Sequence, residues 1–149
     1  MSAPTRKVAV VVWGGLLVAP VLFAGVTIAR APPHGMRTPE LGGLFLWMSA
    51  AVVGLGIVLS RLLPPRIGRR DQGLREEVAL TRLVVAWAIL EGAAMFPLVA
   101  ELVTGDRILY LLSAAAVAAL VSLFPSEARW KGFAVQPLPS RGAARRMQR

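Results

Sequence analysis

The sequence predicts an all-α membrane protein: four transmembrane helices in a bundle, arranged as two hairpins, with both termini in the cytoplasm. Three observations predict it. Of 149 residues, 56% are hydrophobic and 17% charged, and mean hydropathy is +0.62. A soluble domain carries about 25% charged residues, so a water-soluble fold of this size is close to excluded. Four apolar runs also approach the roughly 20 residues that cross the hydrocarbon core. They are continuous and do not alternate, which excludes a barrel and leaves helices, whose backbone groups pair within their own segment.

The first span covers 8–29 and is uncharged from Val8 to Ala29. Arg6-Lys7 ahead of it and Ala29-Arg30-Ala31 behind it fit a signal peptide in part. The apolar run is too long for one, however, and Pro32-Pro33 stand where cleavage would fall. The second span, 41–60, stops before Pro64-Pro65. The third, 80–103, is apolar from Leu83 to Ala100 except for Glu91. Gly105-Asp106 then reverses the chain into the fourth, 108–125. Residues 1–7 make a short cytoplasmic N-terminus, 61–79 a basic cytoplasmic loop and 126–149 a basic, flexible tail with Pro137, Pro139 and Gly142.

Lysine and arginine set the orientation. Two lie in the N-terminus (Arg6, Lys7) and six in or beside the central loop (Arg61, Arg66, Arg69, Arg70, Arg75, Arg82). Six more lie in the tail (Arg129, Lys131, Arg141, Arg145, Arg146, Arg149). Only Arg30, Arg37 and Arg107 fall on the other side. The expected location is a bacterial cytoplasmic (inner) membrane. Arg66, Arg69, Arg70 and Arg75, with Trp130 and Lys131 beyond the last span, are the expected contacts to anionic lipid headgroups or an acidic partner. No aromatics interleave with these arginines, so nucleic acid is not an expected partner despite a net charge of +9.

The chain has no cysteine and one histidine, His34 in the loop after the first span. That pattern offers no thiolate nucleophile, no metal ligand set and no Ser-His-Asp arrangement. Gly14-Gly15 and Gly42-Gly43 lie within or beside spans and form no phosphate loop. The chain is therefore expected not to be an enzyme and to carry no cofactor or metal.

Helices associate in lipid through small residues that let backbones approach. Ala114, Ala118 and Ser122 form one such stripe, Ala50 and Gly54 with nearby Gly56 a second, and Ala88 and Gly92 a third. Packing inside one four-helix bundle is the favoured expectation, with an interface to another subunit the alternative. Trp13, Trp47, Trp87 and Trp130 are too scattered in sequence to suggest a stacking site.

Glu91 calls for a function. It lies midway along the third span, where an acid costs roughly 2.5–3.5 kcal/mol on insertion scales and marks an ion path or a bundle interior. Arg82, nine residues earlier, falls on the opposite helix face. The expected partners of Glu91 are the hydroxyls of Ser49 and Ser113, water, or the carbonyl of Ala93, which Pro97 deprives of its amide donor. Gly92, Ala93 and Pro97 leave the acid with little cover on its own helix. A proton or cation carrier needs such a carboxyl, and a hydrogen bond locking two helices is the alternative. Glu101, at the end of the span, is expected to be solvated.

The segment from Arg82 to Gly105, RLVVAWAILEGAAMFPLVAELVTG, resembles the carboxylate-bearing helix of rotary ATP synthase proteolipids, the c-subunit family. The resemblance implies that Glu91 corresponds to that family's proton- or sodium-carrying carboxylate. The second span has only Gly42, Gly43, Gly54 and Gly56 in place of the family's alternate-glycine repeat, and the acid is in the third helix, not the last. Over its whole length the chain is similar to small four-helix bacterial membrane proteins whose third helix carries an LLEGPA-like stretch and a terminal Thr-Gly. The expectation is a non-enzymatic membrane subunit binding or passing protons or cations at Glu91, in a homo-oligomer or larger complex. The alternative is a structural or assembly subunit in which Glu91 only packs.

Overall fold

A computed structural model describes residues 3–29, 38–63 and 75–126. It is all-α: helices α1 (Ala3–Ala29), α2 (Gly42–Leu62), α3 (Arg75–Thr104) and α4 (Ile108–Ser122), with one 3-10 turn at Pro39–Leu41 before α2. α1, α2 and α3 are long and apolar enough to cross a membrane. At 15 residues α4 is shorter, about 22 Å against a hydrocarbon core of about 30 Å.

Polar side chains inside these helices bond their own backbone. Thr27, Ser60, Thr81, Thr104 and Ser122 each donate a hydroxyl to a carbonyl three or four residues earlier, at 2.6–2.9 Å. A hydroxyl satisfied this way adds little cost to an apolar helix. α3 begins at Arg75 and α2 reaches Leu62, so both helices extend into the stretch expected to be loop. The expectations for Arg66, Arg69, Arg70, Trp130, Lys131 and His34 lie outside the described residues, as does the side chain of Arg75.

α3 is the central element and packs against α2, α4 and α1. α1 rests mainly on α3, and among the described residues it makes no extensive contact with α2. The helices expected to form the first hairpin, α1 and α2, each pack mainly on α3 and not on each other. Burial follows this placement: half of the apolar window of α3 is buried, against 11% in α1 and 17% in α2.

The α3–α4 connection forms where Gly105-Asp106 predicts it. Gly105 has φ 75°, the left-handed conformation that glycine adopts without a Cβ penalty. Its N–H donates to the Glu101 carbonyl at 2.6 Å and closes α3. Asp106, just ahead of the N-cap residue Arg107, accepts on its carboxylate from the Ile108 N–H at 3.0 Å, at the first residue of α4. Thr38 ties the start of α2 to the same place, its N–H donating to the Val103 carbonyl at 3.0 Å. This end of the bundle is the turn end.

The opposite end of α4 closes against tryptophans. The indole of Trp87 donates to the Leu123 carbonyl at 3.0 Å, and that of Trp13 to the Leu120 carbonyl at 3.2 Å. Trp13 also meets the Phe124 ring edge-on, with centroids 5.1 Å apart. The Leu120 carbonyl already accepts from the Leu123 N–H at 3.0 Å, so the Trp13 indole is its second donor, while the Trp87 indole supplies a donor to the Leu123 carbonyl beyond the helix end. Trp13 and Trp87 are far apart in sequence yet reach the same end of α4. They stand in one core with Ala9, Leu83, Ala86, Leu90 and Leu120, while Trp47 is 77% exposed.

Candidate functional site

The site is built on the two sides of α3. At 100° per residue, Leu83, Leu90, Ala94 and Leu98 project toward one side, and all are buried. Thr81, Ala88, Gly92 and Val99 project away from it and are exposed. Glu91 stands at the boundary, partly buried. Its carboxyl makes no hydrogen bond or ion pair with another described residue.

The partners expected for Glu91 are engaged elsewhere or unengaged. Ser113 donates its hydroxyl to the Ala94 carbonyl at 2.9 Å. That carbonyl lies in the turn opened by Pro97, one residue beyond the Ala93 carbonyl expected to be free. The carbonyl that loses its amide donor to the buried Pro97 is that of Ala93, four residues back, so this hydroxyl ties α4 to α3 beside the gap without filling it. Ser49 is fully buried on α2, and its oxygen has no partner. Arg82, on the far side of α3, is buried and engaged in an interaction of its own.

The small residues divide in a way their spacing does not foretell. Gly56 is the close contact of α2 on α3: a Cβ there would stand 2.7 Å from the Ala93 Cβ. Ala93 therefore serves the α2 interface. Gly92 has nothing within 4 Å of its Cβ position, nor has Gly54. Ala88, Gly92, Ala114, Ala118 and Ser122 are all exposed. For these stripes the expectation of packing inside the bundle is corrected, and they face outward.

Glu101 is the residue the sequence reading misplaced. It is 4% exposed, and its Oε2 has no hydrogen-bond partner. The signal that finds it is spacing: Trp87, Ala94 and Glu101 follow one another at seven residues and so share a stripe. That stripe faces inward. Among the described residues no group of three histidine, cysteine or acidic side chains is placed to hold a metal ion. No protein family matches the chain, no curated protein is significantly similar to it, and no solved structure matches its fold.

Proposed function

We propose that the chain is a small, non-enzymatic integral protein of a bacterial cytoplasmic membrane that binds or passes a proton or small cation at Glu91. The observation that carries this reading is the position of Glu91 at the edge of the exposed side of α3. It lies beside outward-facing Ala88 and Gly92 and is unpaired among the described residues. A carrier carboxyl has to be reachable for loading yet shielded enough to hold its ion, and a group at such an edge meets both needs. α4 is the fourth crossing in this reading, its apolar run continuing through Leu123, Phe124 and Pro125. Both termini and the basic segment between α2 and α3 face the cytoplasm, as fourteen of the seventeen lysines and arginines require. Arg66, Arg69, Arg70, Arg75, Trp130 and Lys131 meet anionic headgroups there.

A second reading has its own support. Ala114, Ala118 and Ser122 present an outward stripe on α4 at four-residue spacing, which suits another helix from a second copy or a larger complex. In that assembly Glu91 supplies a hydrogen bond across the contact.

Proton flux into liposomes containing the purified protein separates the two. Flux in the parent that is lost in Glu91→Gln supports the carrier, since glutamine keeps shape and hydrogen bonding without the titratable proton. Flux that is absent, or equal in both, leaves the assembly subunit.

A further inference from the structure

Two side-chain oxygens among the described residues are buried without a partner: Ser49 Oγ on α2 and Glu101 Oε2 on α3. They lie at one level of the bundle. α2 and α3 run antiparallel, because Thr38, just before α2, bonds Val103 near the end of α3, while Gly56 further along α2 meets Ala93. Seven residues back from Gly56 is Ser49, and seven forward from Ala93 is Ala100, the neighbour of Glu101. Both steps are two turns, so the two orphan oxygens belong to helix positions within about 2 Å of the same height. Buried oxygens left unsatisfied on two facing helices at one level have a common explanation in a shared guest.

The surroundings define its charge. A buried carboxylate needs a compensating positive group, and the described side chains supply none at this level. Thr104 and Thr27, the other buried polar groups of the turn end, spend their hydroxyl protons on the carbonyls of Ala100 and Ala24. Arg107 is exposed. One carboxylate matches a single positive charge, and no described cluster of three ligating side chains would suit a divalent or transition metal. The donors are all oxygen, the ligand type of hard cations.

We propose that Glu101 and Ser49 bind one monovalent alkali cation of sodium size at the turn end of the bundle. This site is distinct from Glu91 and does not depend on it, standing ten residues, or about 15 Å, further along α3.

The test is thermal unfolding of the full-length protein in detergent, followed by tryptophan fluorescence, in sodium chloride against choline chloride at equal ionic strength. The expected result is a midpoint several degrees higher in sodium, saturating with concentration. Glu101→Gln should abolish the difference, and Glu40→Gln, which removes an exposed carboxyl, should retain it. Ser49→Ala removes one oxygen ligand and leaves the helix intact. It should raise the sodium concentration for half the effect about tenfold, which is 1.4 kcal/mol of binding. Equal midpoints of the parent in the two salts overturn the proposal. So does a sodium effect of the same size in the parent and in a folded Glu101→Gln, or an unchanged half-effect concentration in Ser49→Ala.

Discussion

Beyond its first turn, α3 carries one acid on each of its two sides. Glu101 stands on the inward side with Trp87, Leu90 and Ala94, while Glu91 stands at the margin of the outward side with Ala88 and Gly92. Depth along the helix suggests the reverse, since Glu91 is near the middle of the span and Glu101 near its end. Burial inside a bundle is set by angle about the helix axis, and burial inside lipid by position along it. The two are independent. An acid at mid-depth can be open to neighbours, and one near the end can be sealed among its own helices.

The widest gap between the two sides should appear on removing an aromatic. Trp87→Ala deletes a fully buried side chain and the indole donor to the Leu123 carbonyl. It should cost about 3 kcal/mol or more. Trp47→Ala, on an exposed position of α2, should shift stability by less than about 0.5 kcal/mol. Denaturant titration in detergent compares them, and similar losses would break the division. Glycine sharpens it at the next scale. Gly56→Ala sets a methyl against Ala93, which is anchored to its own backbone and cannot swing away, so α2 and α3 must separate. The expected cost is about 1–3 kcal/mol. Gly54→Ala, two residues away in open space, should be neutral or gain slightly through helix propensity.

The acids themselves give the smallest stability effect. Glu101→Leu removes an unsatisfied buried carboxyl at similar volume and should stabilise the protein in sodium-free buffer by about 1 kcal/mol. Glu91→Leu should leave the unfolding midpoint within about 0.5 kcal/mol of the parent. A large loss in Glu91→Leu would mean that this carboxyl is sealed after all.

Composition and charge spacing made much of this molecule legible. The apolar runs predict helices at the places where α1 to α4 form, because a continuous apolar segment has no other way to satisfy its backbone in lipid. Gly105-Asp106 predicts the turn, because only glycine takes φ 75° there without strain. Pro97 announces an opened carbonyl at Ala93, but Ser113 bonds the neighbouring Ala94 carbonyl, a contact that the sequence does not single out. What stayed hidden is which side of each helix faces inward. In a soluble protein polar residues mark the outside, but helices as apolar all round as these give no such mark for the alanine stripes.

The sequence by itself determined the helices, their limits to within a few residues, and the acid at mid-span. Those follow from local rules: backbone satisfaction, proline and glycine stereochemistry, and the cost of charge in hydrocarbon. The tertiary structure alone decided that α3 is central, that Gly56 and not Gly54 or Gly92 is the close contact, and that Trp13 and Trp87 finish α4. It also decided that Glu101, not Glu91, is the buried acid. Each of these depends on the rotation of one helix against another, and dispersion packing among near-identical apolar faces fixes that rotation only once all the helices are present.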